Sequence, residues 1–254
     1  MKLSVFKYPF VAIHGILTLL LGYFSVNLYF SEFPLLIKAD SPELRVLLIT
    51  TLIHLLVALI GNLSLLRLPE DSRNEVDRFL LPLFYISLSL SNIYVFAYSS
   101  KSFLPFSIIG KTTLFSLTFA FFILLLFGLF HIGINKGKLF HYTIVSFLGS
   151  LFISNIVPVS IALNLADRQL WYPTLPTFLF LGTLTLLALI SFVELYLRDR
   201  SRHNLTRLLS LATVAIGSFL YIIRPNNFFL WASIVVFSFG VALSIPRTSY
   251  TSLN

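Results

Sequence analysis

Apolar runs about as long as a bilayer is thick recur along the whole chain, and they limit the possible folds more than any motif does. A helix crossing the hydrocarbon core needs ~20 mainly apolar residues. Runs of that kind fall at 8–30, 45–67, 79–99, 112–133, 141–163, 177–197, 205–223 and 227–246. Composition agrees: 57% of the 254 residues are hydrophobic and 11% are charged, against about 25% charged in a soluble domain. In water such a chain would leave far more apolar surface than a monomer tolerates. The fold class expected is all-α, a polytopic transmembrane bundle of about eight spans. A seven-span bundle follows if the last two runs, divided only by Arg224-Pro225-Asn226-Asn227, do not each cross. Residues 1–254 form one integral membrane domain and leave nothing for a soluble one. The first run, Phe10 to Phe30, exceeds the apolar core of a signal peptide, which is about 7–15 residues, and no A-x-A-like site follows it. It reads as a retained helix.

The net charge of +8 resides in short loops between apolar runs, so it speaks for topology and anionic lipid and against nucleic acid. Twelve bases gather on one side: Lys2, Lys7, Arg67, Arg73, Arg78, Lys136, Lys138, Arg198, Arg200, Arg202, Arg207 and Arg247. Six gather on the other: Lys38, Arg45, Lys101, Lys111, Arg168 and Arg224. The positive-inside rule then predicts both termini in the cytoplasm. Trp171, Tyr172, Phe228, Phe229 and Trp231 fall at the outer boundary, where amphipathic rings collect. Two apolar outer loops, 31–40 and 99–111, are too short to span and are expected in the interface. The sequons at Asn62 and Asn204 fall within a span and in a cytoplasmic loop, so neither is expected to carry glycan. The absence of cysteine excludes disulfides, thiolate metal sites and a cysteine nucleophile.

Ionisable residues inside a span are expensive and mark candidate sites. The spans yield Glu194, His14 and His54, and the other nine acids are expected in loops. Arg198 follows Glu194 at i+4, the spacing of a pair on one helix face. Thr50, His54, Ala58 and Asn62 form a polar, small-residue stripe, and His14, Thr18, Gly22 and Ser25 form another. The two histidines lie at depths differing by about 10 Å at 1.5 Å per residue. A shared haem or metal ion is therefore not expected, and no cofactor is. Helix five carries Ser146, Ser150, Ser154 and Pro158 at spacings of four, with Gly149 and Asn155 beside them. Helix three adds Tyr85, Ser89 and Asn92. The run TFAFFILLLFGLF makes helix four the expected lipid-facing one, with helices one, two, three, five and seven packed centrally. Ser150→Leu should then be costly and Phe122→Leu silent.

Phosphate-binding glycine loops, G-x-S-x-G and H-E-x-x-H are all absent, and no span holds two acids. The leading expectation is a non-catalytic accessory, assembly or scaffold subunit whose partners are lipid and other membrane proteins. One alternative is a transporter for a neutral or weakly polar solute or lipid, using an interior built from His14, His54, Asn62, Asn92, Ser150 and Asn155. Another is a lipid-modifying enzyme, for which His131, His141, Glu194 and Arg198 fall at the cytoplasmic edge. That reading requires His131 or His141 within hydrogen-bond reach of Glu194.

Overall fold

In lipid every backbone N–H and C=O must be satisfied within its own segment, so apolar runs of this length become helices. The computed structural model describes residues 7–30, 42–67, 75–98, 105–133, 136–157, 175–198, 200–223 and 227–245. Among these residues every regular element is helical: α1 Lys7–Phe30, α2 Pro42–Ser64, α3 Glu75–Leu90, α4 Phe106–Ile132, α5 Leu139–Ile156, α6 Leu175–Arg198, α7 Arg202–Ile223 and α8 Asn227–Ser244. Short 3-10 turns extend α2 over Leu65–Arg67 and lead into α5 over Lys136–Lys138, and α3 continues directly as a 3-10 helix over Ser91–Tyr98. The two outer loops (apart from 105–111), Pro158, Trp171, Tyr172, residues 224–226 and both chain ends lie outside the described residues.

Seven of these helices are long and apolar enough to cross a membrane, and α7 is the exception, its apolar part being Leu205–Tyr221. Helix α3 begins at Glu75, four residues before the expected start. Its first turn is charged, which hides it from a hydropathy count, yet Val76, Asp77 and Arg78 are all buried. Gly133 closes α4 with φ 128°, a backbone region that costs glycine little, and its N–H returns to Leu129 O.

Six helices close a ring in the order α4–α3–α2–α8–α7–α6, each packing on the next and α6 returning to α4. Helix α1 lies against α2 and α3 outside this ring, and α5 lies against α4. Three expectations fail here, the first being that of a central α1, which packs outside the ring. Helix α4 is central rather than lipid-facing, touching α3, α5 and α6, with Ala120, Phe121, Ile123 and Leu124 fully buried. A helix apolar all round suits a protein core as well as lipid. Helix α5 is peripheral rather than central. It does pack through Ser146, Ser150 and Ser154, but Phe140, Val145, Leu148, Leu151 and Phe152 face outward. Ser150 Oγ donates to Ser146 O within its own helix, so this stripe needs no polar neighbour.

The contrast between Ser150 and Phe122 changes accordingly. Phe122 is half-buried, and its ring meets Phe180 of α6 at 6.0 Å. Phe122→Leu should cost on the order of 1 kcal/mol through the lost aromatic contact. Ser150→Leu should cost about 1–3 kcal/mol by overpacking. Thermal unfolding of both variants in detergent checks this, and a silent Phe122→Leu would contradict the observed packing.

Candidate functional site

Helices α3 and α7 stand on opposite sides of the ring, run parallel, and are joined by polar side chains at two levels. The first level is the start of both helices. Arg207 Nη2 donates to both carboxylate oxygens of Asp77. His131, in the last turn of α4, brings Nε2 within 3.0 Å of Asp77 Oδ1 and 2.8 Å of Arg207 Nη2. Since a carbonyl can only accept, the 2.7 Å contact from His131 Nδ1 to Phe127 O places a proton on Nδ1. Nε2 then accepts from Arg207 in the neutral ring, or donates to Asp77 Oδ1 when the ring carries both protons. The guanidinium also lies 5.1 Å from the centroid of the Phe127 ring, a cation–π arrangement. An acid in a first helical turn and a base in a last one each suit the local end of the helix dipole. We call this arrangement the charged clasp.

The second level lies fifteen residues along α3 and its continuation, and fourteen along α7, from Asp77 and Arg207 to Asn92 and Tyr221. At helical rise this is about 20 Å away. Tyr221 OH donates to Asn92 Oδ1 at 2.9 Å. It also lies 2.9 Å from Tyr94 OH and 3.1 Å from Thr51 Oγ1, and the last two are 2.8 Å apart. Asn92 Nδ2 faces His54 Nδ1 at 3.2 Å and the carbonyls of Leu88 and Ser89, at the junction of α3 with the 3-10 helix. An amide N–H facing Nδ1 makes His54 the acceptor there. Its ring stacks on Tyr221 at 4.4 Å and tilts against Phe237 at 4.7 Å. This neutral clasp joins α2, α7, α8 and the 3-10 helix. A 3-10 run of eight residues is long for its kind, and such stretches within a helix often mark hinges.

A third polar group fixes α1. Asn62 Nδ2 donates to His14 Nδ1 at 2.9 Å, so the ring proton sits on Nε2 and goes to Ser89 Oγ at 2.7 Å. All three residues are fully buried. Asn62 Oδ1 has no partner among the described residues and borders a narrow crevice lined by Val11, Leu65, Leu66, Arg78 and Pro82.

Of the interior candidates, His14, His54, Asn62 and Asn92 thus meet in two adjoining clusters. Ser150 faces α4 away from them, and Asn155 is exposed with Nδ2 donating to Leu151 O. The edge candidates separate. His131 joins Asp77 and Arg207, Glu194 pairs with Arg198 at 2.6 Å, and His141 is exposed. Asp77, expected in a loop, lies inside α3. Neither it nor Arg207 stood out, because they are 130 positions apart in the sequence. The available signal was that each opens an apolar run leaving the membrane face richer in bases. Tyr221, Tyr94 and Thr51 gave less, since hydroxyls are common throughout the spans.

Tyr221→Phe removes one hydroxyl from three partners, Asn92, Tyr94 and Thr51, and leaves Asn92 Oδ1 buried without its donor. A loss of about 1–2 kcal/mol is expected, read as a lower unfolding temperature in detergent, with Tyr23→Phe on the exposed face of α1 unchanged.

Fold and site define a multi-span helical membrane protein with a polar interior clasped at two depths. No protein-family model, curated protein or solved structure matches the chain.

Proposed function

We propose that the protein is a permease for a small neutral or weakly polar solute, held closed in this conformation by its two clasps. The observation that carries the reading is the pairing of α3 with α7 across the ring at two levels about 20 Å apart, each made of polar contacts that can open and re-form. A helix interrupted beside a buried polar cluster is also the arrangement transporters use near a substrate site. The neutral clasp offers hydroxyl, amide and imidazole groups and no net charge, which suits an uncharged solute. Liposomes containing the purified chain should pass urea or glycerol faster than protein-free liposomes in stopped-flow light scattering, and Thr51→Val with Tyr221→Phe should change that rate. Equal rates with and without protein across a series of small neutral solutes would remove the permease reading.

A second reading, an accessory subunit acting with another membrane protein, is favoured by α5. Seven of its eighteen residues, Phe140, Ile144, Val145, Leu148, Leu151, Phe152 and Ile156, are large apolar side chains turned outward from a helix that packs on α4. A photocrosslinking residue at Phe152 should then capture a second protein in native membranes, while one at Leu19 of α1 captures lipid. Lipid alone at both positions removes this reading.

The basic side of the bundle is cytoplasmic in either case, with both termini there, an orientation supported by the twelve-to-six distribution of bases. Single cysteines placed in this cysteine-free chain test it. A cysteine at Ser201, between α6 and α7, should resist an impermeant thiol reagent in intact cells and react after lysis; labelling from outside reverses the topology.

A further inference from the structure

Helices α5 and α6 both pack on α4, and between them one face of α4 stays only half-covered. Phe122, Leu125, Leu129 and Ile132 form that face, at helical spacings of three and four. Phe119 and Phe130 turn towards α5, meeting Phe147 and Tyr142, while Gly128 abuts Ser191 of α6. At 100° per residue the half-covered stripe falls between those two contact directions, so it is the floor of an apolar groove running along the membrane normal. The groove wall on α6 continues from Phe180, which meets Phe122, to Leu187 seven residues on, 44% exposed.

Its mouth is basic. Arg198 Nη1 donates to Ile132 O, which fixes the guanidinium over the end of the stripe while leaving the side chain 55% exposed. Lys138 in the turn before α5 and Arg200 just after α6 are exposed nearby in sequence. Against these three bases the sequence sets two acids, Glu194, half-exposed and already paired with Arg198, and Asp199, so the balance stays positive. An apolar groove of acyl-chain length that ends at a fixed guanidinium and a surplus of positive charge is complementary to one partner chemistry. We propose that the α4–α5–α6 groove is a binding site for an anionic phospholipid, with an acyl chain along Phe122, Leu125 and Leu129 and the phosphate at Arg198 and Lys138. Arginine matches the planar oxygens of a phosphate, and the acyl chain makes the site selective for a lipid over a free anion.

Brominated lipids test this in the full-length chain. A tryptophan is placed at Leu187 on the groove wall, with Trp171→Phe and Trp231→Phe to remove the background. A matching variant carries its tryptophan at Val235, on the exposed face of α8. Brominated phosphatidylglycerol should quench Leu187→Trp at a clearly lower mole fraction than brominated phosphatidylcholine, while both lipids quench Val235→Trp alike. Lys138→Gln with Arg198→Gln should abolish the preference at Leu187. Lys138→Gln alone, at an exposed position, should reduce it and keeps the test open if the double variant fails to fold. Equal quenching by the two lipids at Leu187, or a preference that survives removal of both bases, overturns the proposal. So does a preference erased by soluble glycerol phosphate, which would make this an anion site without an acyl chain.

Discussion

Asp77→Asn should lower the stability of the bundle by on the order of 3 kcal/mol, the expected cost of removing one partner from a largely buried ion pair. The side chains of Asp77 and Arg207 are only 13% and 20% exposed, so water cannot replace the lost carboxylate charge. The substitution leaves Arg207 facing a neutral amide and the Nε2 of His131, while its guanidinium still lies over Phe127. Joining it to Arg207→Gln removes the stranded cation, so the double variant should recover part of the loss. That non-additivity separates a broken clasp from general damage to α3. Guanidinium-free unfolding, by heat or by a denaturing detergent, reads all three variants without screening the pair. If Asp77→Asn stays within about 0.5 kcal/mol of the parent, the clasp does not hold the ring.

An effect of similar size is expected where α7 meets α8. With lipid tails as apolar as any side chain, helices associate through close backbone approach and interhelical hydrogen bonds. Both are present here. Ser210 Oγ donates to Gly240 O at 2.8 Å. A Cβ added at Gly217 would lie 2.6 Å from Phe237 N and 2.8 Å from its Cα, and one at Gly240 would lie 2.7 Å from Val214 N. Backbone cannot step aside as a side-chain tip can, so alanine at either position must spread the two helices. Each of Gly217→Ala and Gly240→Ala should cost about 1–3 kcal/mol, and the pair together should disorder the neutral clasp, since Tyr221 and Phe237 both flank His54. Gly149→Ala is the control. Among the described residues nothing lies within 4 Å of a Cβ there, so the variant should be neutral or slightly more stable through helix propensity. An unfolding temperature that falls equally for Gly149→Ala and Gly240→Ala would contradict the close α7–α8 contact.

Helix number and placement were legible in the sequence because bilayer thickness and backbone hydrogen bonding act on length and composition, both of which a linear string carries. The eight runs became eight helices, with α7 marked by its polar start. The stripe through His54 and Asn62 was legible for a similar reason: helical periodicity is local. Which helix occupies the middle was not. A side chain in lipid and one in a protein core have the same hydropathy, so the run of α4 read equally as a surface or a centre, and only its contacts with α3, α5 and α6 decided between them. The serines of α5 misled because each hydroxyl can satisfy itself on its own helix, as Ser150 does on Ser146 O, and so says nothing about a polar neighbour. The clasps lay furthest from view. Asp77 with Arg207, and Asn92 with Tyr221, are 130 and 129 positions apart. Their pairing depends on α3 and α7 standing parallel and in register across a closed ring, a relation between helices that no local pattern in either one contains.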